Sequence, residues 1–184
     1  MKSTGIVRRI DDLGRIVLPK EIRRTMRIRE GDPLEIYTNN GEVIFKKYSP
    51  IGELTAFAGE YAETLYKTCA LSVVICDRDA VIATAGVSRK EYSDKALSEE
   101  LERIMEGRSL YVHREEMPQI GATEQGGSRY VRCAMPILSE GGDVVGCVVS
   151  LSAEKEEGKK APLGDVEIKL IQTAASFLGR QVES

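Results

Sequence analysis

The sequence predicts an α+β protein, in which short antiparallel strands carry packed helices, in two dissimilar segments. Three observations predict it. Short apolar runs rich in valine and isoleucine, bounded by Gly, Asp or Asn, recur along the 184 residues and read as strands. Two stretches, from Leu54 to Leu65 and from Ile168 to Leu178, repeat apolar residues at i, i+3, i+4 spacing and read as helices. Charge is uneven. Lys2, Arg8, Arg9, Arg15, Lys20, Arg23, Arg24, Arg27 and Arg29 meet only Asp11, Asp12, Glu21 and Glu30 within the first thirty positions, although the whole chain has a formal net charge of −3. A basic end on an acidic chain is the footprint of a nucleic-acid contact surface joined to an unrelated second domain.

In the first segment, Gly5–Ile10 reads as a strand, Asp11-Asp12-Leu13-Gly14 as a turn and Arg15–Leu18 as a second strand. Pro19 suits the first position of a helix that continues from Lys20 to Met26. Gly31-Asp32-Pro33 breaks the chain. Leu34–Thr38 and Glu42–Tyr48 form a hairpin around Asn39-Asn40-Gly41. These strands are apolar on both parities and therefore want cover on both faces. A unit of about fifty residues buries too small a share of its surface to stand comfortably alone. The expectation is an obligate, interleaved dimer through residues 1–50.

Ser49-Pro50-Ile51-Gly52 marks the junction with a second domain, residues 53–184. There the order is the helix through Leu54 and Leu65, strands Leu71–Cys76 and Ala80–Ala85, and a helix capped by Ser93 or Asp94 that runs to Met105. Strands Ser109–His113, Tyr130–Leu138 and Val144–Leu151 follow, then a helix capped by Asp165. Glu115–Ser128 reads as a long loop and Glu154–Pro162 as a charged connection. Gly146 inside a strand marks a bulge or a close backbone approach.

No apolar run nears the roughly 18 residues of a membrane span, and no apolar stretch follows Lys2 as in a secretory signal. Cys69, Cys76, Cys133 and Cys147 form no C-x-x-C and sit among apolar neighbours, which predicts buried free thiols in a reducing cytoplasm. No metal and no cofactor is expected. No Walker loop, dinucleotide fingerprint or paired catalytic carboxylate is present, and the single histidine, His113, reads as a strand-end residue, so no catalytic activity is expected.

The run from Met1 to Arg24, with Asp11-Asp12-Leu13-Gly14-Arg15-Ile16-Val17-Leu18-Pro19-Lys20 at its centre, resembles the N-terminal domain of AbrB-type transition-state regulators. So do Gly31-Asp32-Pro33-Leu34-Glu35-Ile36 and Lys46-Lys47-Tyr48. That resemblance implies a swapped-hairpin β-barrel dimer that binds double-stranded DNA. Carried over by position, it assigns DNA contact to Arg8, Arg15, Arg23 and Arg24, with Arg9, Lys20 and Lys2 as further basic candidates. The second domain resembles a GAF domain at Met135-Pro136-Ile137 and at Asp143-Val144-Val145-Gly146-Cys147-Val148-Val149. The two together resemble developmental transcription regulators of spore-forming bacteria. This implies control of sporulation genes, a forespore location, and a tetramer formed through the helices flanking the GAF-like sheet. A GAF-like fold also implies a pocket for a small molecule. The sequence names no ligand, and a scaffold whose pocket is filled by its own side chains stands beside that reading.

Arginine presents a planar fork of donors that fits phosphate oxygens and the O6/N7 edge of guanine. The sequence does not divide the four arginines between those tasks. The bland alternative is a solvated charged face, to which Arg27 and Arg29 are assigned. A rival reading is an autoregulatory antitoxin, whose kind ends in a disordered toxin-wrapping tail. Here Asp165–Val182 reads instead as a patterned helix.

Overall fold

The structure is a computed structural model that describes residues 4–125, 127–152 and 164–182. The chain divides into two compact units, Met1–Tyr48 and Ser49–Ser184.

In the N-terminal unit, the two segments expected as strands, 5–10 and 15–18, carry neither helix nor strand. A strand is defined by its ladder, and within this one chain the backbone link between them is the turn itself, where Asp11 N–H donates to Arg15 O at 3.1 Å. Apart from half-buried Leu18, their apolar side chains stay in solvent: Val7 is 84% exposed and Val17 74%. Helix α1, Lys20–Thr25, follows, and Pro19 is its N-cap rather than its first residue, with φ −57° and ψ 148°. An extended ψ at that position starts the helix one residue later than expected. Arg27, at φ 50°, turns the chain after the helix, and its carbonyl accepts from Lys47 Nζ at 2.9 Å. Strands β1, Leu34–Asn39, and β2, Glu42–Lys47, pair antiparallel from Leu34↔Lys47 to Asn39↔Glu42. The turn residues Asn40 and Gly41 take φ 45° and 83°, the pair of positive values that a two-residue hairpin requires.

The C-terminal unit opens with a 3-10 turn, Ile51–Leu54, and helix α2, Thr55–Cys69. Its sheet contains β3 (Ser72–Cys76), β4 (Val81–Ala85), β5 (Tyr111–Val112), β6 (Val131–Leu138) and β7 (Val144–Leu151). Their order is β4-β3-β7-β6-β5, with every neighbour antiparallel. Helices α3 (Arg89–Tyr92), α4 (Glu99–Glu106) and α5 (Asp165–Gln181) complete the unit. The alternation of β3 divides the core. Val73 and Ile75 pack with Ala58, Ala62, Ile171 and Leu178 of α2 and α5, whereas Val74 and Cys76 pack with Tyr92, Leu97, Leu101 and Met105. Central β7 is buried from Val145 to Leu151 because both faces are covered. Gly146 lies against the Cys76 carbonyl, and Gly179 of α5 lies against the Leu138 carbonyl, so neither has room for a Cβ.

Several boundaries differ from expectation. The cap of α4 is Ser98, whose Oγ accepts from Leu101 N–H at 3.1 Å, not Ser93 or Asp94. Asp94 sits at φ 58°, and Ala96 and Leu97 are used in bridges to Ala80 and Thr123, which delays the helix. Gly164, not Asp165, caps α5, and Asp165 supplies negative charge to the first turn. The strand expected at 109–113 shortens to Tyr111–Val112. Cys69 is exposed at the end of α2, unlike buried Cys76, Cys133 and Cys147. The expected connection at 154–162 lies outside the described residues. Among the described residues, no helix is long and apolar enough to cross a membrane.

Candidate nucleic-acid interface

The basic residues of the N-terminal unit fall on three local structures. Arg8 and Arg9 precede the Asp11–Gly14 turn, Arg15 follows it, and Lys20, Arg23 and Arg24 belong to α1. All six are exposed. Lys2 lies outside the described residues. Arg27 and Arg29 differ in setting: Arg27 is fixed through its backbone, and Arg29 N–H donates to Asp32 Oδ2 at 2.8 Å.

The turn is knit around one carboxylate. Asp11 Oδ1 accepts the N–H groups of Leu13 at 3.0 Å and Arg15 at 2.7 Å, and Asp11 Oδ2 accepts Arg15 Nε at 2.8 Å. Gly14, at φ 75°, closes the turn by donating to Asp11 O at 3.0 Å. The Arg15 backbone N–H, then its guanidinium, hold the Asp11 carboxyl below its ordinary range. The Arg15 side chain is nonetheless 69% exposed. In the sequence, Asp11 reads only as a turn residue and an opposing charge. Its position four residues before an arginine, across a glycine turn, is the signal that would have marked it.

The same unit leaves much apolar surface uncovered. Leu13, Ile10, Ile36 and Val43 are exposed together with Val7 and Val17. Such a density in fewer than fifty residues exceeds the scattered apolar exposure of ordinary monomers.

The C-terminal unit offers a different chemistry. Thr84 Oγ1 and Thr123 Oγ1 are buried with no hydrogen-bond partner among the described residues. Thr84 stands opposite Val74, and Thr123 bridges to Leu97, so both belong to the side of the sheet covered by α3 and α4. Cys76 Sγ donates to Cys147 O at 3.4 Å. Burial pushes the Cys133 thiol up to about 12 and raises that of Cys147 as well, so these are protonated, unreactive thiols. His113 follows β5, and its ring packs tilted at 56° against that of Tyr130, with centroids 4.9 Å apart. Among the described residues, no three His, Cys, Asp or Glu side chains converge as a metal site.

Comparison with known proteins places these features in context. Residues 53–183 match the family described as stage V sporulation protein T C-terminal, transcription factor. Residues 7–52 match the family described as antidote-toxin recognition MazE, bacterial antitoxin. The chain is 51% identical over 186 residues to stage V sporulation protein T of Bacillus subtilis (strain 168), covering 100% of this chain and 99% of that one. It is 60% identical over 50 residues to the transition state regulatory protein AbrB of the same organism, covering 27% of this chain and 52% of that protein. Among solved structures, the N-domain of the transcription factor abrB is 60% identical over 26% of this chain and 92% of its own, with a TM-score of 0.25. A GAF domain of PixJ from Thermosynechococcus elongatus is 15% identical over 73% of this chain and 90% of its own, with a TM-score of 0.49.

Proposed function

The chain belongs to the stage V sporulation protein T family, and from that premise we propose that it is a sequence-preferring, DNA-binding transcription regulator of sporulation genes. It acts as activator, repressor or both, and not as an enzyme. The observation that carries the reading is the relatedness over the full length, joined to an N-terminal unit in which Arg8, Arg15, Arg23 and Arg24 are all exposed. Arg9 and Lys20 add positive charge beside them. The exposed apolar side chains of the same unit support dimerisation through residues 1–50, which would give segments 5–10 and 15–18 the ladder partner that one chain lacks and close a swapped-hairpin barrel. A two-fold dimer presents each arginine twice. Residues 53–184 then form a regulatory domain that assembles dimers into tetramers. The buried hydroxyls of Thr84 and Thr123 support a small-molecule ligand there, since unpaired buried polar groups are costly unless a partner arrives. The protein works in the cytoplasm, in the forespore.

Salt-dependent DNA binding tests the reading. Arg24→Ala is expected to weaken binding and to lower the log–log salt slope by about one or two units per dimer, because each lost phosphate contact releases fewer counterions. Unchanged affinity and slope in a folded variant would remove Arg24 from the interface. Light scattering of the full chain tests assembly, and a monomer at micromolar concentration would overturn it.

The match of residues 7–52 to an antitoxin family favours a second reading, an autoregulatory antitoxin. Co-purification of a stable toxin partner would select it.

A further inference from the structure

Among the four arginines assigned to DNA by resemblance, and among the described residues, Arg15 is the one drawn into an ion pair. Asp11 fixes it at three points: the backbone N–H, the backbone carbonyl, which accepts from Asp11 N–H, and the guanidinium Nε. This is costly for a phosphate clamp. A carboxylate at 2.8 Å largely cancels the charge that would displace counterions from the DNA backbone. It also places an acceptor beside a phosphate, which offers only acceptors.

A base edge reverses both objections. In the major groove guanine offers O6 and N7 as acceptors, while the amino groups of cytosine and adenine are donors. A guanidinium whose Nε is occupied still has its two terminal nitrogens free to form a fork, in a plane set by the Nε bond, and the adjoining carboxylate can accept from an amino group. Restricted orientation is what reading a base needs and what gripping a flexible phosphate does not. We propose that Asp11 is a positioning residue that holds Arg15 as a reader of base edges, making the Asp11–Arg15 pair a determinant of sequence preference rather than of overall DNA grip. This rests on the DNA-binding function proposed above.

The test uses the full chain, a duplex selected from a random pool by the wild-type protein, and a scrambled duplex of equal composition. Asp11→Asn keeps the Oδ1 acceptor for the Leu13 and Arg15 amides but puts donors against Arg15 Nε. Its affinity for scrambled DNA is expected to hold or rise, because one negative charge per subunit is gone. Its ratio of selected to scrambled affinity is expected to fall about 5- to 100-fold. Arg15→Lys keeps the charge without the fork and is expected to lose the same ratio, which tests the proposal even where Asp11→Asn fails to fold. A ratio within about twofold of wild type in either folded variant, or a parallel loss on both duplexes, would overturn it. A wild-type chain that shows no salt-dependent DNA binding would instead sink the DNA-binding function itself.

Discussion

Ser49 Oγ donates to Asp77 Oδ2 at 3.0 Å, tying the first residue of the C-terminal unit to the turn between β3 and β4. The same hydroxyl accepts from Gly52 N–H at 3.1 Å, and Ile51 between them is fully buried. Asp77 Oδ1 separately accepts the N–H groups of Asp79 and Ala80, both at 2.8 Å. The two oxygens therefore do different work. Ser49→Ala is expected to cost about 0.5–1.5 kcal/mol, and Asp77→Ala to cost more because it also frees two turn amides. Urea denaturation with hydrogen exchange at Ala80 separates them: exchange should accelerate in Asp77→Ala and stay near wild type in Ser49→Ala. Equal acceleration in both would contradict this division.

Arg132 of β6 and Glu167 in the first turn of α5 form a 3.0 Å ion pair, with side chains 16% and 10% exposed. Removing one partner strands a nearly buried charge, so Glu167→Ala is expected to destabilise by about 2–4 kcal/mol. Replacing both with leucine removes the charges together and is expected to recover most of that loss. Denaturant midpoints of the two variants check this, and a double variant no better than Glu167→Ala would show that the pair contributes more than the desolvation it incurs.

What was legible in the sequence followed from local rules. The hairpin of β1 and β2 is announced by Asn40-Gly41, whose positive φ values only that kind of residue tolerates cheaply. The stripe through Ile171, Ala174, Ala175 and Leu178 is buried as its spacing predicts. What was not legible depended on partners distant in sequence. The start of α4 moved to Ser98 because Ala96 and Leu97 pair with Ala80 and Thr123. Segments 5–10 and 15–18 have the β pattern without a ladder inside one chain. Within the candidate interface the sequence offers the arginines as candidates, and the geometry adds the contacts that join Arg15 to Asp11. Composition marked Asp11 merely as a charge of the wrong sign.

Three glycines give opposite expectations for one substitution. In Gly146→Ala the new methyl meets the Cys76 carbonyl, and in Gly179→Ala it meets that of Leu138. Both obstacles are backbone atoms of the sheet, which cannot swing aside as a side chain would. Each change is expected to cost about 2–3 kcal/mol, the upper end of overpacking penalties. Gly59 lies within α2 with nothing near its missing Cβ. Gly59→Ala is expected to stabilise by about 0.4–1 kcal/mol through helix propensity and a more restricted unfolded chain. Thermal unfolding of the three variants is the measurement, and a stable Gly146→Ala would show that β3 and β7 can separate locally.

The buried thiols predict a stability limit on the alkaline side. An unfolded cysteine ionises near 9.0, whereas Cys133 in the fold ionises near 12. Its pKa is raised on folding, so the folded state retains a proton that the unfolded state releases. The stabilisation is complete below pH 9 and is lost progressively as pH rises from 9 towards 12. Cys147, raised in the same direction by burial and by its neighbour Cys76, adds to that slope. Denaturation midpoints should therefore fall across this window, and Cys133→Ala should fall less steeply, although it begins lower because it leaves a small cavity. Thiol labelling gives an independent check at neutral pH. Exposed Cys69 should react at once, and Cys76, Cys133 and Cys147 only at the rate of opening. Rapid labelling of all four would show that the sheet opens far more readily than its packing implies.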